Sequence, residues 1–158
     1  MIPTNFTIRS AVIEDLPILL TFEQGIIAAE RPFDPCLKES PISYYDIGEM
    51  IRAEDSEVLV AENAGEIIAS GYAKVLQAKT YLKYQQFAFL GFMFVKPAYR
   101  GQGVNQLLTD GLIQWSRSKG LKEIRLQVYN ENAGAIRAYE KSGFSRHLIE
   151  MRLNLDEQ

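Results

Sequence analysis

Val95-Lys96-Pro97-Ala98-Tyr99-Arg100-Gly101-Gln102-Gly103-Val104-Asn105 joins two segments of opposite character. Before it, residues 87–95 form a near-continuous apolar run, which reads as a strand buried on both faces. Gly91 inside that run marks a bulge or a close backbone approach. After it, Val104, Leu107, Leu108, Leu112 and Trp115 recur at helical spacing, predicting a helix over 104–118 that Gly120 stops. Two glycines between strand and helix allow successive backbone N–H groups to turn toward one point. The first turn of the helix adds unsatisfied N–H groups and a partial positive charge, the makings of an anion site. Arg100 sets a permanent charge at its rim. The plain alternative is a strand-to-helix turn and nothing more. Two other phosphate loops do not fit: no Gly-Lys-Ser/Thr closes the segment, and Gln106 stands where a dinucleotide fingerprint needs its third glycine.

Working outward, residues 6–12 alternate as a first strand. Glu14-Asp15 and Pro17 open a helix with Leu16, Leu19, Leu20 and Ile27 as its buried stripe. Residues 31–41 hold three prolines and read as a loop. Ser43-x-x-Asp46 resembles a capping box for a second helix carrying Ile47, Met50 and Ile51 on one face. Residues 57–62 and 66–75 read as strands around an Asn63-Ala64-Gly65 turn, and 77–86 as a polar connection. Ile124, Leu126 and Val128 alternate with Arg125, Gln127 and Tyr129 as a further strand. Asn130 or Asn132 can cap the next helix, Gly143 ends it, and 144–155 is a final extended segment. Mixed strands and helices predict an α/β or α+β fold.

The chain has 158 residues, enough for one domain spanning 1–158, and its apolar content supports a sizeable core. A net charge of −3 argues against a nucleic-acid partner and is compatible with a cationic or amine ligand. One cysteine, Cys36, excludes an internal disulfide and fits a reducing compartment, so the cytoplasm is the expected location. The opening residues Met1 to Asn5 lack the basic and apolar blocks of a leader, and no apolar run approaches the ~20 residues of a membrane span. One Cys and one His cannot make a typical zinc site, so no metal is expected.

The glycine loop resembles the acetyl-CoA-binding motif of the GNAT superfamily of N-acetyltransferases, Arg/Gln-x-x-Gly-x-Gly/Ala. Arg100, Gly103 and Asn105 occupy its fixed positions. Asn105 departs from the usual small residue; it either crowds a pyrophosphate or donates a hydrogen bond to it. A second match follows one strand later, where Asn132, Ala135, Tyr139, Gly143 and Phe144 fall in the family's order. Asn132 and Tyr139, seven residues apart, project from one helix face. Taken singly, Asn132 reads as a cap and Tyr139 as a packing residue.

The resemblance implies a mixed, mostly antiparallel central sheet flanked by helices and splayed at its central strand. It implies transfer of an acetyl group from acetyl-CoA to a primary amine of a small molecule, peptide or protein. Donor contacts would come from Met93, Phe94, Val95, Arg100, Gly101, Gln102, Gly103, Val104, Asn105, Asn132, Ala135 and Tyr139, with Tyr139 as catalytic acid. A non-catalytic acyl-CoA sensor is the alternative, motivated by a gap: residues 85–95 contain no carboxylate where many relatives carry a glutamate. A base from elsewhere or a water relay would then be needed. Glu30, Asp34, Asp46 and Glu49 border the expected acceptor pocket. His147 reads as a surface residue, Cys36 lacks a histidine partner for nucleophilic chemistry, and Trp115 reads as core. A homodimer is compatible with the sequence.

Overall fold

Five strands form one sheet: β1 (Thr7–Ser10), β2 (Ser56–Asn63), β3 (Glu66–Gln77), β4 (Gln86–Val95) and β5 (Ile124–Leu126), side by side in chain order. The computed structural model describes residues 5–157; the opening residues 1–4, part of the stretch that argues against a leader, lie outside them. β1 to β4 run antiparallel, and β5 lies parallel to β4. Asn63 pairs with Glu66, so the β2–β3 turn is the two residues Ala64 and Gly65, both at positive φ as a tight hairpin requires.

Helices cover both faces of the sheet. α1 (Leu16–Glu30) and α2 (Ile47–Arg52) lie on one side, and α3 (Val104–Ser118) on the other, while α4 (Ala133–Lys141) follows β5. β2 feeds both cores by simple alternation. Val58 and Val60 pack with Leu19, Phe22, Ile26 and Ile47, whereas Leu59 and Ala61 pack with Leu108 and Leu112. No helix among the described residues is long and apolar enough to cross a membrane.

Several sequence expectations need correction. The stripe of α1 is Leu19, Phe22, Glu23, Ile26 and Ile27, a three-and-four spacing that leaves Leu20 on the solvent side. The cap of α2 is Asp46, whose carboxylate accepts from the Glu49 N–H at 3.1 Å; Ser43 lies too far upstream to cap. A 3₁₀ turn at Arg31–Phe33 opens the proline-rich loop. β5 stops at Leu126, because its pairing with β4 ends there. No strand forms over 144–154. Trp115 is half-buried at the margin of the second core.

Glu23 explains what Ser43 does. This fully buried carboxylate accepts from the backbone N–H groups of Tyr44 (2.9 Å) and Tyr45 (2.8 Å) and from the Ser43 hydroxyl. A buried carboxylate survives only when hydrogen-bonded, and this one ties the incoming loop to α1. A polar residue in the middle of an apolar stripe was its sequence signal. Glu23→Ala strands two amides, each worth about 1–3 kcal/mol. The expected outcome is a loss of roughly 2–4 kcal/mol in urea unfolding.

Candidate functional site

The geometry of the site begins with one extra residue in β4. Ser70 pairs with Phe94 but Tyr72 pairs with Gly91, so two steps along β3 face three along β4. Phe92 takes φ +58°, and the buried Ser70 hydroxyl donates to its carbonyl at 3.0 Å. The insertion flips the alternation: Leu90 enters the core under α3, whereas Phe92 enters the core under α1. Gly91 is required by proximity, since a Cβ there would lie 2.6 Å from the Tyr72 ring and hydroxyl. Nothing in the sequence singled out Ser70.

The bulge coincides with a parting of strands. β4 and β5 pair only over Ala88–Leu90 and Ile124–Leu126, so β4 from Gly91 to Val95 has lost its β5 neighbour. Met93, Phe94 and Val95 lie on this parted stretch. Phe94 is braced from beneath by Phe22, with ring centroids 4.7 Å apart, and by Gly25, where a Cβ would come within 2.7 Å of its ring.

The glycine loop follows directly. Pro97–Tyr99 makes a 3₁₀ turn, and the Arg100 guanidinium donates to the Val95 carbonyl at 3.0 Å. Gly101 and Gly103 take φ +77° and +83°, left-handed conformations that favour glycine. Among the described residues, no backbone N–H between Arg100 and Leu107 finds a carbonyl; the ladder of α3 starts with Leu107 donating to Gly103 at 3.1 Å. A Cβ on Gly101 or Gly103 would meet no protein atom within 4 Å, so the cradle opens outward. Six amides, from Gly101 through Gln106, are thus left without backbone partners at a helix N-terminus, the kind of place an anion can occupy. Val104 is buried beneath them, and Gln102 folds back onto the Ala98 carbonyl at 3.2 Å. Asn105 is half-buried, and its side-chain amide makes no hydrogen bond among the described residues, so it is available as a donor.

α4 is tied to the same region by Ser142, whose hydroxyl donates to the Gln106 side chain at 2.8 Å. Asn132 is its cap: the side-chain oxygen accepts from the Ala135 N–H at 3.3 Å, and Asn130 plays no such part. Ala135 leaves that first turn uncluttered. Tyr139 packs edge-to-face on Phe144, centroids 5.9 Å apart. Burial pushes its phenol up to about 12, and the negative charge of Glu30 adds to the effect.

Glu30, the last residue of α1, is the source of that charge. Burial raises the Glu30 carboxyl above the ordinary glutamate range; the nearby Tyr44 hydroxyl opposes the shift, and Asp34 adds to it. The same charge is felt by Tyr44, Tyr45 and Tyr129. Two of the other three candidate carboxylates are occupied. Asp34 accepts from Arg152 (2.8 Å), the Cys36 N–H (3.0 Å) and the Tyr129 hydroxyl (3.0 Å), and the Arg152 guanidinium holds it below its ordinary range. Asp46 caps α2, and Glu49 is exposed. His147 and Cys36 are exposed.

Comparison with known proteins gives the family of the chain. Residues 24–144 match the acetyltransferase (GNAT) family. Mycothiol acetyltransferase of Amycolatopsis mediterranei is 30% identical over 95 residues, which cover 60% of this chain and 32% of that protein. Streptothricin acetyltransferase of Streptomyces lavendulae is 33% identical over 91 residues, covering 58% and 46%. The chain thus spans less than half the length of these curated relatives. Among solved structures, a predicted acetyltransferase from Clostridium acetobutylicum, crystallised with acetyl-CoA, superposes with a TM-score of 0.72 at 20% identity, covering 98% of this chain and 99% of that one. Bulged strand, glycine cradle and family match agree: the chain belongs to the GNAT acetyltransferase family.

Proposed function

We propose that this protein transfers the acetyl group of acetyl-CoA directly to a primary amine. The observation that carries the reading is the run of six unpartnered amides from Gly101 to Gln106, which suits the donor's pyrophosphate. Arg100 and the Asn105 amide add charge and a further hydrogen bond at the rim. Met93, Phe94 and Val95 offer backbone groups to the pantetheine arm along the edge that β5 leaves open. Ala135 and Asn132 give that arm a flat helix face. Bound acetyl-CoA supplies a thioester, whose carbonyl carbon is the electrophile.

The remaining chemistry falls to two side chains. An alkyl ammonium, pKa ~10.4, has no lone pair and must lose its proton before it attacks. Glu30 is our candidate for the carboxylate that β4 lacks. Its raised pKa moves it toward neutrality, where a base is most effective, and its position among Tyr44, Tyr45 and Tyr129 puts it on the acceptor side. Tyr139, with a pKa of about 12, keeps its proton throughout the working range and can hydrogen-bond the departing sulfur as its charge grows. A base on α1 would remove the motivation for the sensor alternative, the missing strand carboxylate. The tyrosine-lined acceptor side, walled by the 31–45 loop, favours a small cationic amine such as an amino sugar or antibiotic; streptothricin acetyltransferase among the relatives lends support.

Three outcomes test the reading. Tyr139→Phe should lower kcat about 10²-fold while leaving donor affinity nearly unchanged, read by thiol release across an amine panel and by calorimetry with CoA. Wild-type kcat/KM should fall as pH drops through a pKa above the ~4.3 of free glutamate. Protonated Glu30 cannot accept the amine's proton, and Glu30→Gln should remove that acidic limb together with about 10²-fold of the rate. Gly103→Glu should abolish CoA binding, because it strains a left-handed residue and puts a carboxylate into the anion cradle; circular dichroism should show the fold intact.

A further inference from the structure

The helix that carries the proposed acid is thinly held. α4 has nine residues, and Ile136 is its one buried side chain. Among the described residues, no backbone hydrogen bond joins it to another helix or strand. Its side-chain bonds stay local at Asn132, which accepts from Ala135, and at Glu140, which pairs with Arg146. The exception comes from its C-terminal cap, where the Ser142 hydroxyl donates to Gln106 Oε1 at 2.8 Å. Ser142 and Tyr139 belong to a single turn. The Tyr139 carbonyl accepts from the Ser142 N–H at 3.0 Å and the Phe144 N–H at 3.1 Å, while its ring packs on Phe144. What fixes Ser142 therefore fixes the phenol.

The other end of this bond is fixed as well. Asp110 lies one turn along α3 from Gln106 and takes a hydrogen bond from its Nε2 at 2.8 Å. An ionised carboxylate can only accept, so Asp110 selects the nitrogen and leaves Oε1 for the Ser142 hydroxyl. The main chain of Gln106 meanwhile supplies one of the unpartnered amides of the glycine cradle. One residue thus serves the anion site with its backbone and holds α4 with its side chain. We propose that Gln106, aligned by Asp110 and bound to Ser142, is a positioning residue that sets Tyr139 against the donor's sulfur. The inference rests on the reading of Tyr139 as the acid. A single hydrogen bond shifts a local equilibrium by roughly fivefold. Within a packed core that is minor; for a helix with one buried side chain it decides how often the phenol is in place.

Ser142→Ala and Gln106→Ala should each lower kcat about five- to tenfold in thiol release, while CoA affinity by calorimetry stays within about twofold of wild type. Ser142→Thr keeps the hydroxyl and should restore kcat. The two alanine changes together should cost no more than either alone, because each cuts the same bond. In a Tyr139→Phe background neither should lower kcat further, since both act through the phenol. In the donor-free protein, amides 138–144 should exchange about fivefold faster in Ser142→Ala than in wild type, and regain protection in Ser142→Thr. Unchanged kcat or unchanged exchange in Ser142→Ala overturns the proposal. A loss that persists in full beside Tyr139→Phe overturns it too, as does a fall in CoA affinity that matches the fall in turnover. Those results leave the transferase reading standing. Full turnover in Tyr139→Phe alone removes the acid assignment, and the positioning role with it.

Discussion

One hydrogen bond between two neighbouring strands governs the rest: the Ser70 hydroxyl holding the Phe92 carbonyl at 3.0 Å. Phe92 sits at a positive φ, a conformation that costs a bulky residue about 1–2 kcal/mol and persists only where its surroundings impose it. Ser70 supplies that imposition from a position with no solvent exposure. Without the extra residue, Leu90 and Phe92 would share a face, one of the two cores would lose an anchor, and β4 would have no reason to leave β5 after Leu90. The opening between the strands is thus a by-product of local backbone geometry that the core then locks in place.

The same strand delivers the chain into the glycine loop within a few residues. Arg100 fastens the loop back to the Val95 carbonyl, so the cradle of amides is fixed relative to the parted edge. Preorganised amides of this kind need no rearrangement when an anion arrives, which is why backbone dipoles outperform water as ligands in such sites. Opposite them, Phe94 rests on Phe22 and Gly25 of α1, the helix that ends in Glu30. Donor edge and proposed base are therefore joined through packed side chains rather than through a flexible linker.

The sequence made this framework largely legible because the strand-loop-helix passage and the second helix obey local rules: apolar periodicity, glycine at left-handed turns, asparagine as a cap. What escaped it depends on contacts across the chain. Ser70 is an ordinary strand serine until Phe92 is placed beside it 22 residues later. Glu30 gains its character from burial among tyrosines of another loop. Leu20 escapes because a small shift in where a helix begins turns its stripe, and Ser43 because Asp46, three residues on, takes the cap while Ser43 binds Glu23. The absence of a strand over 144–154 has a different cause: the alternation is present, but no described strand pairs with it.

Glu23 bears on how such a protein can diversify. The end of the loop opposite the proposed donor site is held by this carboxylate, which grips main-chain amides at Tyr44 and Tyr45 and the Ser43 hydroxyl. A tether that reads backbone is indifferent to the side chains it carries. The intervening stretch can lengthen, shorten or change composition while both of its ends stay fixed. New selectivities can then arise by exchanging that stretch, leaving the machinery on the other side of the sheet untouched.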